Sequence, residues 1–285
     1  MPRIGRPSGI PGIARLLRAA ALVVAGACRT GVDYDEATAP RQVSHVTPVP
    51  APATPPAAIR VVTFNVAFAR AIDSAIAVLR DTPELRGADV ILLQEMDGDG
   101  TRRIAEALGM SFVYYPAIHH RRTNRDFGNA VLARWALSGD ARLVLPHPSR
   151  YAGTHRIATA ATVDVCSLRI RAYATHLGTA ADVGQRQRRA QLEAIVRDAS
   201  PYELVIIGGD LNSGDVGDVA TARGYRWPTR SGPRTTTFGR WDHLFVKGLL
   251  PLAAGTVRDN RRASDHVPVW TTTALPAPPG GDCRR

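Results

Sequence analysis

Four stretches of this chain end an apolar run on an acid, an amide or an imidazole: Val90-Ile91-Leu92-Leu93-Gln94-Glu95, Tyr173-Ala174-Thr175-His176-Leu177, Val205-Ile206-Ile207-Gly208-Gly209-Asp210-Leu211-Asn212 and Ser264-Asp265-His266-Val267-Pro268-Val269. Such runs are the pattern of buried strands. A buried strand that stops on a polar group holds it rigidly at the rim of a sheet, where it can converge with others on one ion or phosphate. One such ending is commonplace, and four predict a site.

The 285 residues are enough for one large domain or two small ones. The N-terminus reads as an address. Arg3, Arg6, Arg15 and Arg18 precede the small, apolar run Ala19 to Ala27, which is too short to span a bilayer and is followed by Cys28. Residues 1–27 are therefore expected to be an export signal cleaved before Cys28. Two fates are open for that cysteine: acylation, as in bacterial lipoproteins, or ordinary cleavage with no lipid. Both predict an exported protein, in the cell envelope or secreted. Residues 28–58 carry Pro40, Pro48, Pro50, Pro52, Pro55 and Pro56 and read as an extended tether. Residues 274–285 read as a disordered tail, which leaves a folded unit over 59–273.

The net charge of +11 overstates basic character, because Lys247 is the one lysine and arginine usage is high throughout. Between residues 59 and 273, 28 basic residues face 21 acidic ones. That surplus favours anionic partners moderately. Three cysteines make no disulfide framework in a chain of this size. Cys166 and Cys283 could pair outside the cytoplasm, but Cys166 sits in a strand-like run, and unpaired thiols are the expectation.

Strands are predicted at 59–66, 90–93, 111–115, 128–134, 158–165, 168–175, 203–207, 243–246 and 267–273, with a tight turn at Cys166-Ser167. Helices are predicted from Ile72 to Arg80, from Thr101 to Leu108 with Gly109 as the stop, and from Gln185 to Ala199. Helices interleaved with strands, several of them in hairpins, imply an α/β sandwich with mixed sheets.

The polar tips suit phosphoester chemistry. Glu95 is a carboxylate too expensive to bury without a cation, a donor or water, and magnesium needs only one or two protein carboxylates. Asp210 and Asn212, two apart in extended chain, share one side; they also fit an Asx-type turn cap. Asp242 or Asp265 against His266 would fix a tautomer and favour imidazolium, which stabilises charge on phosphate.

Thr63-Phe64-Asn65-Val66, Leu93-Gln94-Glu95, Gly128-Asn129-Ala130-Val131-Leu132-Ala133-Arg134, Thr175-His176-Leu177-Gly178, Gly209-Asp210-Leu211-Asn212, Trp241-Asp242-His243-Leu244-Phe245-Val246 and Ser264-Asp265-His266-Val267-Pro268-Val269 occur in the order seen in the endonuclease/exonuclease/phosphatase superfamily, which the chain resembles from Ile59 to Thr273. The resemblance implies a deoxyribonuclease-I-like, four-layer α/β/β/α sandwich with two mixed β-sheets, and Mg2+-dependent, or Mn2+-dependent, phosphodiester hydrolysis. It implies metal ligation by Glu95, Asn65 and Asp265. It implies catalysis by Asp210 on the attacking water, by Asn212 on a phosphoryl oxygen, by His176 and His266 on the transition state, and by Asp242 orienting His266. Two departures stand out: Ala67 replaces an acid found in several nucleases, and Trp241-Asp242-His243 replaces Ile-Asp-Tyr.

Arg121, Arg122 and Arg125, in the loop before the Gly128 strand, with Asn129 and Arg156, are the expected substrate-binding residues. The expected substrate is a phosphoester, foremost nucleic acid, with membrane attachment through a lipidated Cys28 and no protein partner evident. A phospholipid or inositol-phosphate headgroup hydrolase is the alternative. An inactive polyanion-binding lipoprotein is a second one, disfavoured because a binding surface needs cations and not carboxylates.

Overall fold

The computed structural model describes residues 31–34, 40–44, 56–121 and 123–277. The segment expected to be an export signal, Cys28, Arg122 and Cys283 lie outside them. The elements are β1 (Gly31–Asp33), β2 (Gln42–Ser44), β3 (Ala58–Asn65), α1 (Ile72–Asp81), β4 (Val90–Met96), α2 (Gly98–Leu108), β5 (Ser111–His120), β6 (Arg125–Ala133), β7 (Leu137–Val144), β8 (Ile157–Val165), β9 (Leu168–His176), α3 (Gln185–Asp198), β10 (Leu204–Asp210), α4 (Asp218–Thr221), β11 (Asp242–Lys247), β12 (Leu250–Thr256) and β13 (Val269–Ala274). No helix among the described residues is long and apolar enough to cross a membrane.

Eight strands form one mixed sheet in the order β1-β5-β6-β4-β3-β13-β12, with β2 also on β5, and five form a second in the order β11-β10-β9-β8-β7. Strand alternation sorts side chains into three apolar layers. Ile59, Val61, Val90 and Leu92 of the first sheet meet Ile170, Ala172, Ala174, Ile206 and Leu244 of the second in the central layer. Val62, Phe64, Ile91 and Leu93 face outward to α1 and α2. Tyr173, Val205, Ile207 and Phe245 face outward to Leu192, Ile195 and Val196 of α3. This is the expected four-layer α/β/β/α sandwich of two mixed sheets.

Two expectations need correction. The tether is partly built into the fold: β1 and β2 pair with β5, and Leu275 of the expected tail donates its N–H to Ala57 O at 3.0 Å. The edge of β5 offers unpaired backbone groups that short, proline-free runs can satisfy, and prolines elsewhere in the segment hid those runs. Cys166 is disulfide-bonded, to a partner outside the described residues. The strand ends at Val165, so Cys166 sits in the β8–β9 turn with φ +57°, where a partner can reach it.

Strand β10 packs so closely beside β9 that a Cβ on Gly209 would lie 1.8 Å from Thr175 O, a backbone atom that cannot give way. Gly209→Ala is expected to destabilise the protein by at least about 1–3 kcal/mol in urea unfolding. A variant as stable as the parent would contradict the close approach.

Candidate active site

The parity that buries the central layer also builds the site. Asn65 continues the inward face of Ile59 and Val61. His176 continues that of Ile170, Ala172 and Ala174, Asp210 that of Ile206, and Asp242 that of Leu244 and Val246. Strand register aligns them, because Asp210 pairs with His176 on one side and with Asp242 on the other.

Glu95 breaks this rule. By alternation it belongs to the outer face with Ile91 and Leu93, but the register shifts between Gln94 and Met96, and Glu95 takes the left-handed φ of +57°. A bulge of this kind re-aims a side chain at a backbone cost that functional sites tolerate. The carboxylate thereby turns into the cluster. Its Oε1 accepts from Asn65 Nδ2 at 3.1 Å, and its Oε2 from the Phe68 amide at 3.1 Å.

Asn65 joins the two sheets at this point. Its Nδ2 also donates to Asp210 Oδ2 at 3.1 Å, while its Oδ1 accepts from Ala67 N, which fixes the amide's orientation. Ala67 thus contributes its backbone. His176 Nε2 lies 3.3 Å and His266 Nε2 3.6 Å from Asp210 Oδ2, and His176 Nδ1 is 3.8 Å from Glu95 Oε1. His266 Nδ1 is 2.8 Å from Asp242 Oδ2.

The two imidazoles are driven apart in charge. Burial alone would lower the His266 pKa, but the hydrogen bond and charge of Asp242, helped by Asp210 and Asp265, raise it to about 9. Burial pushes His176 well below its ordinary value, and the Arg156 and His266 charges push it further. Arg156 Nη1 lies 3.2 Å from His176 Nδ1, so a guanidinium that can only donate makes Nδ1 the acceptor and leaves the proton on Nε2, facing Asp210. Burial and the Asp242 charge raise Asp210 to about 7, against the opposing pull of His266. Burial also raises Glu95, against the Asn65 hydrogen bond and the Arg156 charge.

The donor set fits a hard divalent cation. Two carboxylates, Glu95 and Asp210, converge on a single neutral amide, and the buried Asp242 Oδ1 has no partner among the described residues. Ligand atoms of Asp210, Asp242 and His266 also lie within 4.8 Å of one another. Protonated His266 has no lone pair for a cation, however, so that trio reads as a hydrogen-bonded relay and Glu95 as the anchoring carboxylate.

The remaining expected residues divide. Asn212, at φ +48°, spends one amide proton on Leu177 O at 3.0 Å, and its N–H donates to Asp210 Oδ1 at 2.8 Å. The Asx-turn geometry and the site geometry therefore coexist. Asp265 is exposed at the edge of the cluster, its Oδ1 3.4 Å from Ser264 Oγ. Arg156 is half-buried against Phe127, its guanidinium 5.4 Å from the ring centroid. Arg121 is exposed in the β5–β6 turn. Arg125 is paired with Asp97, the N-cap of α2. Asn129 is buried, with Nδ2 on Ile157 O and its own carbonyl accepting from Thr159 Oγ1. Its amide ties the first sheet to the second, from β6 to the start of β8, next to Arg156.

Thr235, Phe68 and Phe127 were not legible as site residues. Thr235 Oγ1 accepts from the amides of Trp241 and Asp242 at 3.0 and 3.2 Å, anchoring the backbone of Asp242 from the loop that leads into β11. Thr235→Val leaves both amides unpaired and is expected to cost about 1–3 kcal/mol in chemical denaturation. Unchanged stability would remove Thr235 from this role.

Comparison with known proteins agrees with this geometry. The family model described as Endonuclease/Exonuclease/phosphatase family matches residues 62–266. No curated protein matches the chain by sequence. Similar solved structures include an endonuclease/exonuclease/phosphatase from Beutenbergia cavernae (21% identity, TM-score 0.63, 79% of this chain and 73% of that one). The human Nocturnin catalytic domain with bound sulfate is also similar (18%, 0.61, 83% and 98%), as is D. rerio TDP2 with single strand DNA product (16%, 0.59, 77% and 100%). At these identities the structures speak for the fold, and the family match over most of the chain carries the assignment: this protein belongs to the endonuclease/exonuclease/phosphatase family.

Proposed function

We propose that the protein is an exported phosphodiesterase, foremost a nuclease, that hydrolyses its substrate with a divalent cation, Mg2+ or Mn2+. The observation that carries the reading is the sharing of Asn65 Nδ2 by the Glu95 and Asp210 carboxylates, with both histidines within 3.6 Å of Asp210. Glu95 and Asn65, with Asp265 at the edge, would hold the cation, which when bound supplies charge neutralisation to the phosphoryl oxygens.

The chain's own residues do the rest. Asp210, raised to about 7, orients the attacking water and takes its proton as oxygen bonds to phosphorus and the ester P–O bond breaks. The His266 imidazolium, held by Asp242, and the Nε2–H of neutral His176 face the charge that builds on the phosphoryl group. Arg156 adds a fixed cation beside them, and the second amide proton of Asn212 is available to a phosphoryl oxygen. Nucleic acid is favoured by the basic surplus of the folded unit and by the D. rerio neighbour solved with a DNA product.

One observation favours a second reading, a phospholipid or inositol-phosphate headgroup hydrolase. Strand β1 begins at Gly31, three positions after Cys28, a reach of at most about 11 Å. A lipid on Cys28 would hold the β5 edge, and the site beside it, close to a membrane surface.

The full chain is expected to nick plasmid DNA in Mg2+ or Mn2+ and to lose all activity in EDTA; cleavage that persists in EDTA would contradict metal dependence. In a panel of DNA, RNA, sphingomyelin vesicles and inositol phosphates, turnover confined to headgroups would replace the first reading by the second. Asp210→Ala should lower kcat by about 10²–10⁴-fold with the fold intact by circular dichroism, and an active variant would remove Asp210 from the chemistry. Labelled palmitate should enter the parent and not Cys28→Ser if the cysteine is acylated; label retained by the variant would reject lipidation there.

A further inference from the structure

A cleft of about 230 Å³ opens beside Glu95 and His176, lined among others by Phe68, Ile118, Phe127, Tyr151, His155 and Arg156. Three of these residues also border the catalytic cluster. The Phe68 amide holds Glu95, Phe127 packs on His176 with ring centroids 5.8 Å apart, and Arg156 contacts His176. The outer wall of the cleft is the loop from Ser149 to Arg156, which has no regular secondary structure.

That loop is tied down from two sides. Ser149 Oγ donates to Asp182 Oδ1 at 2.7 Å, a link from the segment after β9. The second tie comes from the N-terminal strand: Asp33 Oδ1 accepts from the His155 amide at 2.7 Å, and Asp33 Oδ2 lies 3.0 Å from His155 Nδ1. One carboxylate thus binds both the backbone and the side chain of the residue next to Arg156. Asp33 is itself fixed, because β1 pairs with the end of β5 in the register Asp33 to Ile118 and Tyr34 N donates to Ala117 O at 3.0 Å. Ala117 and Ile118 line the same cleft.

We propose that Asp33 is a positioning residue for substrate binding: carried on the N-terminal strand, it holds the Ser149–Arg156 loop so that the cleft wall and the Arg156 guanidinium are preset against the scissile phosphate. Asp33 lies well before residue 62, where the family match begins. The device therefore lies outside the matched region. Residues read from sequence as a passive tether become part of the substrate rim. The substrate half of the proposal rests on the phosphodiesterase reading; the loop-holding half does not.

The test compares full-length parent, Asp33→Ala, Asp33→Asn and Tyr34→Phe. Hydrogen–deuterium exchange of residues 149–156 needs no turnover, so a parent without phosphodiesterase activity would sink the catalytic reading and leave this arm to decide. Faster exchange there in Asp33→Ala is expected, and parent-level protection overturns the proposal. With bis(p-nitrophenyl) phosphate, Asp33→Ala should raise KM about tenfold, as expected for losing hydrogen bonds to a charged group, with kcat within about twofold. Asp33→Asn, which keeps an acceptor for the His155 amide, should fall between. Tyr34→Phe, next to Asp33 on the same segment, loses only the hydroxyl contact to Asp126 of β6 and should match the parent. An unmoved KM, a loss confined to Tm, or an equal KM rise in Tyr34→Phe overturns the assignment to Asp33.

Discussion

The site depends on one amide. Asn65 sits at the end of β3 in the first sheet and donates simultaneously to Glu95 of its own sheet and to Asp210 of the second. Two carboxylates facing a shared neutral donor in a water-poor rim are both pushed toward protonation, chiefly by burial. The arrangement persists because the apolar interface between the sheets fixes the strand ends. It is also an arrangement that a divalent cation relieves, which is how packing and chemistry become one problem in this molecule.

Electrostatic division of labour follows from the same geometry. Asp242 gives His266 a buried counter-charge and keeps it cationic, while burial, reinforced by the Arg156 charge, keeps His176 neutral. Two imidazoles on either side of Asp210 therefore present different protonation states to one phosphoryl group. The difference lies in their second partners, and those come from β11 for one and from the start of β8 for the other.

Much of this was legible in the sequence, for identifiable reasons. Buried strands announce themselves as apolar runs, and their polar tips follow the same period of two, so His176 and Asp210 could be placed at a rim from pattern, whereas Asn65 was reached through the family resemblance. The inward turn of Glu95 could not be read, since alternation points it outward and only the bulge reverses it. β1, β2, β7 and β12 were missed as strands because they are short or half exposed at sheet edges. Thr235 was invisible because its role rests on a contact with Trp241 and Asp242 that the loop makes only when folded.

The most direct test of the central claim is manganese binding followed by electron paramagnetic resonance, in the full chain and in Glu95→Gln. The account predicts that Mn2+ is immobilised by the parent and remains free in the variant, with the fold unchanged. Retention of bound Mn2+ by Glu95→Gln, or no binding by the parent at all, would contradict it.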